Sequence, residues 1–170
     1  MSSRKAFTLV EILIVVVILG ILAAVVLPRF SNASATARAS MLADDLRLLR
    51  TQIPVYQGQH LGVAPGYPNG NTTLAPTGDA FVAQITQVSD ESGQTVAPSL
   101  RTREYRFGPY MSEIPVNPIN GKNTVQVLGP GDPMPAAGDD SHGWIYQPST
   151  LIFRADCSAS DSDGKPYSQY

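Results

Sequence analysis

Cysteine is almost missing from this chain of 170 residues: Cys157 stands alone, so no internal disulfide can form. Histidine is nearly as scarce. His60 and His142 cannot build a multi-histidine metal centre, and no H-E-x-x-H, G-x-S-x-G or P-loop spacing occurs, so nothing in the sequence points to an enzyme. Charge is sparse as well. With 12 basic and 14 acidic side chains the balance is close to neutral and no basic stripe forms, so no nucleic-acid partner is expected. Cys157 has no basic neighbour or partner histidine motif to activate it and reads as a structural or incidental thiol, and His142 beside Asp139 and Asp140 reads as a surface-loop histidine.

What the chain does have is concentrated at its start. A polar, basic stretch, Met1-Ser-Ser-Arg-Lys-Ala6, abuts an apolar run from Phe7 to Leu27 in which Glu11 is the one strongly polar side chain. A run of about 20 apolar residues matches the hydrocarbon core of a bilayer, so residues 7–28 are predicted to form a membrane helix. Arg4 and Lys5 place its N-terminus in the cytoplasm, with everything beyond Pro28 on the far side of the inner membrane. An ordinary secretory signal, cut near Ala33-Ser34-Ala35, fits less well, since its apolar region would be about 7–15 residues and would have no reason to carry Glu11. A carboxylate at this depth is unfavourable and calls for a partner. If the chain is cut between Ala6 and Phe7, the new α-amino group lies four residues before Glu11. The two do not close easily on one helix, whereas a neighbouring copy shifted by about one turn brings them together, so Glu11 reads as an assembly device.

These residues, Arg4-Lys5-Ala6 followed by Phe7-Thr8-Leu9-Val10-Glu11, resemble the type III signal of type IV pilins and type II secretion pseudopilins. The resemblance implies that a prepilin peptidase and methyltransferase removes the leader and N-methylates Phe7. It places Glu11 at the family's glutamate, and Gly20 and Pro28 where many members carry a helix-weakening glycine and proline. Ala6 replaces the usual glycine before the cut, and is likewise small. Many pilins staple their C-terminal region with a disulfide, a pattern from which the lone Cys157 departs.

Beyond Pro28 the helical pattern resumes. Phe30, Ala33, Ala37 and Met41 make one stripe, and Leu42, Leu46, Leu49, Ile53 and Tyr56 continue it, with Arg38, Asp44, Asp45, Arg47 and Arg50 elsewhere on the surface. This amphipathic extension, 29–57, is expected to bend at Pro28 and to kink or end near Pro54. A periplasmic α+β domain over 58–157 should cover its stripe: a connecting loop over 58–80, a short helix over 81–88, a polar loop over 89–102 and a short strand at 103–107. Three antiparallel strands, near 124–128, at 143–147 and at 151–155, complete the sheet, and residues 158–170 read as a loosely held tail. The expected fold is therefore α+β and pilin-like, a long N-terminal helix packed on a small C-terminal antiparallel sheet.

Three further runs resemble the major pseudopilin branch: Tyr105 to Tyr110, Ile114-Pro-Val-Asn-Pro118, and Gly143-Trp-Ile-Tyr146. Members of that branch commonly bind calcium in a loop before their last strands. The similarly placed loop here offers Asp132, Asp139 and Asp140, against the 6–8 oxygens the ion requires. Asp161-Ser-Asp-Gly164 is only a fragment of an EF-hand pattern, without its third ligand position and distal glutamate. The resemblance implies a structural subunit, not an enzyme, that polymerises into a helical filament of identical copies, most specifically the periplasmic pseudopilus of a type II secretion system. Implied partners are membrane lipid before assembly, minor pseudopilins, an inner-membrane platform with a cytoplasmic ATPase, and an outer-membrane secretin. A type IV pilus subunit, serving adhesion, motility or DNA uptake, and a membrane-anchored periplasmic binding protein that never polymerises are the alternatives.

Overall fold

A computed structural model describes residues 8–170, with side chains for 8–24 and 33–170. The expected leader 1–6 and Phe7 lie outside the described residues. The chain divides into two compact units, Met1–Ala37 and Arg38–Tyr170. Helix α1 is Leu9–Gln59, 51 residues long, and it continues through both Pro28 and Pro54.

In the first unit, α1 carries aliphatic side chains all round from Leu9 to Leu22, with Glu11 the one charged residue among them. From Leu9, 84% exposed, to Leu22, 56% exposed, none of the large aliphatic side chains is covered. Among the described residues no helix is long and apolar enough to cross a membrane. The expected span over 7–28 reaches past the described side chains at both ends.

In the second unit, the stripe Leu42, Leu46, Leu49, Ile53 and Tyr56 is buried to 1% exposure or less, as its helical spacing requires. Met41, grouped with the apolar stripe by sequence, is 58% exposed and lies off the core. The helix does not end at Pro54. That residue is exposed, so its missing N–H and ring fall on the solvent side, while Ile53 and Tyr56 anchor the opposite face.

Helix α2, Gly78–Thr86, starts earlier than its apolar residues suggest because the Thr77 hydroxyl accepts the Ala80 N–H at 3.2 Å. It ends before Val88, which enters a strand. Strands β1 (Val88–Ser89) and β2 (Thr95–Val96) form a small antiparallel hairpin inside the expected polar loop. The expected strand at 103–107 is reduced to one bridge, Ser89 to Phe107.

The main sheet has the order β3 (Val125–Val127), β4 (Trp144–Gln147), β5 (Ile152–Ala155). β4 and β5 are the expected antiparallel hairpin, pairing Trp144 with Ala155 and Tyr146 with Phe153. β3 and β4, expected antiparallel, are parallel, with Val125 opposite Trp144. The long connection over 128–143 makes that possible, since a parallel pair needs a crossover of about a dozen residues or more. Aromatic side chains join sheet and helices: Phe81 lies 4.8 Å from Tyr146 and 5.7 Å from Phe153 between ring centroids. The segment 158–170 is no loose tail. Tyr167 is 6% exposed within the core, and the Arg50 guanidinium donates to the Tyr170 carbonyl at 2.6 Å.

Candidate functional site

Two places carry the residues singled out by sequence: the start of α1 in the first unit and the loop between β3 and β4 in the second. At the start of α1, Thr8 and Glu11 form a capping box. The Thr8 hydroxyl accepts the Glu11 N–H at 3.2 Å, and Glu11 Oε2 accepts the Thr8 N–H at 3.4 Å. A helix leaves its first N–H groups unpaired, and this reciprocal pair satisfies two polar groups where the surrounding side chains are aliphatic. Sequence analysis gave Glu11 an intersubunit role and missed Thr8. The signal was present, since a threonine three residues before a glutamate at the head of an apolar run is the capping-box pattern. Gly20, in the middle of the apolar stretch, has open space where a side chain would begin.

The loop residues proposed for calcium are not gathered. Asp132 Oδ2 accepts the Gly129 N–H at 2.8 Å and closes its own turn. Asp139 Oδ1 accepts the Ser141 N–H at 2.9 Å, and hydrogen bonds from Ser141 hold this carboxyl below the ordinary aspartate range. Asp140 Oδ2 is taken by the hydroxyl and N–H of Ser158. Among the described residues no three His, Cys, Asp or Glu side chains lie together so as to hold a metal. In the Asp161–Gly164 turn, Asp161 accepts the N–H groups of Asp163 and Lys165 and the Tyr170 hydroxyl, so it too is engaged within the chain.

The carboxylate at the centre of the loop is instead Asp156, fully buried and absent from the sequence-based set. Asp156 Oδ1 accepts the Asp139 N–H at 2.8 Å, and Oδ2 accepts the His142 N–H at 2.8 Å and the Ser141 hydroxyl at 3.2 Å. The Ile114–Pro118 run packs under the same loop. The Asn117 amide donates to the Gly143 carbonyl at 2.7 Å, and the Trp144 indole N–H reaches the Pro115 carbonyl at 2.9 Å. Cys157 is buried beside Asn117, and burial pushes its thiol up to about 11, so it stays protonated at neutral pH. An open groove of about 560 Å³ between α2 and this region is lined by Asp79, Val82, Glu113, Ile114 and His142. His142 Nδ1 is paired with its neighbour, the Ser141 hydroxyl, at 2.8 Å.

Residues 1–27 match the prokaryotic N-terminal methylation motif. The type IV major fimbrial protein FimA of Dichelobacter nodosus is 32% identical over 111 residues, 56% of this chain and 71% of that protein. The type II secretion system core protein G of Aeromonas hydrophila is 30% identical over 128 residues, 75% of each chain. Its counterpart in Vibrio cholerae is 28% identical over 132 residues, 78% of this chain and 75% of that one. No solved structure matches.

Proposed function

This chain belongs to the superfamily of type IV pilins and type II secretion pseudopilins, and from that premise we propose that it is a pseudopilin, a structural subunit of the filament of a type II protein secretion system. The observation that carries the reading is the start of α1: in a single subunit its aliphatic side chains from Leu9 to Leu22 are uncovered on all sides. An all-round apolar helix must be covered by lipid or by copies of itself, and a filament subunit meets each in turn. Similarity to core protein G over about three quarters of the chain supports the secretion branch.

In this reading the subunit is anchored in the inner membrane with its second unit in the periplasm. A prepilin peptidase cuts between Ala6 and Phe7 and methylates the Phe7 amine. Glu11 then meets the Phe7 amine of an adjacent subunit, and the segment from Gly20 to Pro28 adapts as subunits leave the bilayer. The capping box suits this sequence of events. Thr8 holds the carboxylate at the helix start before assembly, and its exposed partners at 3.4 and 3.5 Å are weak enough to be exchanged for a cationic amine. Addition of subunits by a platform and ATPase, capping by minor pseudopilins and passage of cargo through a secretin complete the proposal.

The test is the intact mass and N-terminal sequence of the protein from membranes of a host with a prepilin peptidase. A methylated Phe7 terminus supports the reading, and retention of Met1 overturns it. In the same host, Glu11→Leu should still reach the membrane and yield few filaments; wild-type filament yield would remove the Glu11 pairing. Similarity to FimA keeps a type IV pilus subunit as the second reading. Deleting the gene separates the two, because loss of secretion with no change in surface pili belongs to a pseudopilin and the reverse to a pilin.

A further inference from the structure

The loop between β3 and β4 is held by groups that hydrogen-bond one another. The Lys122 ammonium donates to the Asp140 carbonyl at 2.6 Å and to the Ser141 carbonyl at 3.2 Å. On the inner side, the buried Asp156 carboxylate takes the N–H groups of Asp139 and His142 and the Ser141 hydroxyl. Asn120 locks the two layers, its amide donating to the His142 carbonyl at 2.7 Å and to the Asp156 carbonyl at 2.8 Å. The backbone is drawn in tightly around this arrangement. A Cβ on Gly138 would lie 2.2 Å from the Cys157 nitrogen, and one on Gly143 would lie 2.2 Å from the Lys122 carbonyl oxygen.

A divalent cation closes such a loop by drawing unpaired carbonyl and carboxylate oxygens to one point. Here the carbonyls of Asp140 and Ser141 face an ammonium, and the carboxylates of Asp132, Asp139, Asp140 and Asp156 each accept hydrogen bonds from within the chain. Among the described residues no three His, Cys, Asp or Glu side chains converge on one point, so the residues present do not fit calcium. We propose that Lys122 and Asp156 together are the clamp of this loop, the lysine supplying the positive charge, and that the second unit reaches its stable fold without a divalent cation. The lysine is a fixed internal charge, so the loop's closure does not follow the calcium concentration outside the cell.

The full-length protein in detergent is unfolded thermally, followed by the fluorescence of Trp144, in EDTA and again with millimolar calcium chloride. The wild-type midpoints should coincide to within about 1 °C, because a ligand that binds only the folded state must raise the midpoint. Lys122→Met should lower the midpoint equally in both buffers and speed limited proteolysis within 131–142 severalfold, and Lys122→Arg, which keeps the charge, should recover most of the loss. Asp156→Asn should act in the same direction, and if it does not fold, the exposed position 122 still decides the matter. A calcium-dependent rise of roughly 5 °C or more in the wild type would overturn the proposal. So would a Lys122→Met protein with the wild-type midpoint and proteolysis rate.

Discussion

His60 shows how a single side chain sets a condition on the fold. It is 1% exposed, stacked on Tyr56 at 3.8 Å between ring centroids, and its two ring nitrogens are both engaged. Nδ1 faces the Tyr56 carbonyl at 2.7 Å and must carry the proton, which leaves Nε2 to accept the Ser89 hydroxyl at 2.8 Å. Burial lowers its pKa, with the hydrogen bond to the Tyr56 carbonyl and the nearby Asp90 opposing only in part. The unfolded chain therefore binds this proton more readily than the folded one, so the stability His60 contributes is present in full above about pH 6.5 and is lost as pH falls below it. Thermal midpoints between about pH 6.5 and 5 should decline in the wild type and be flatter in His60→Gln, whose side chain does not titrate there. Gln84 is the comparable neutral case. Its amide accepts the Gly66 N–H at 2.7 Å and donates to the Tyr67 and Gly93 carbonyls at 2.8 and 3.2 Å. Gln84→Leu strands all three groups and should cost about 1–3 kcal/mol or more, measured by urea unfolding at neutral pH. Neither residue is legible from sequence, because a lone polar side chain carries no periodic signal and its partners are supplied by distant loops.

At the level of elements, periodicity was readable where one element buries one face and unreadable where pairing joins distant segments. The stripe from Leu42 to Tyr56, α2 and the β4–β5 hairpin follow from spacing and short connections. The parallel pairing of β3 with β4 does not, since a three-residue strand carries no mark of its partner's direction. The packed 158–170 segment was missed for a related reason, its burial resting on Tyr167 amid polar neighbours. The proposed loop clamp escaped because Lys122 and Asp156 come from separate segments, and a count of acidic residues favoured the exposed Asp132 over the buried Asp156. Within α1 the correction at Met41 gives a direct contrast. Leu49→Ala, at 0% exposure, should cost about 2–5 kcal/mol through lost burial and a cavity. Met41→Ala, at 58% exposure, should stay within about 0.5 kcal/mol of the wild type. Denaturant midpoints of the two variants, with unchanged slopes, measure the difference.

The whole molecule separates a part that folds from a part that assembles. Among the described residues, every buried core side chain lies at or beyond Leu42, within Arg38–Tyr170, whereas the apolar side chains before Ala24 are exposed. Removing residues 1–37 leaves every one of these buried side chains in place and takes away the uncovered apolar surface from Leu9 to Leu22. The shortened chain should fold on its own, unfold in a single cooperative transition as small domains do, and stay monomeric without detergent. The full chain should require detergent, lipid or copies of itself. Size-exclusion chromatography with light scattering, together with thermal unfolding of the shortened chain, measures both properties. A folded monomer would place the cohesive surface of the filament in the first unit and leave the second as its passenger. Self-association of the shortened chain would instead locate a contact within the second unit, where Met41, Leu48 and Val55 stand exposed at seven-residue intervals along α1. Alanine at those three positions would then have to restore the monomer.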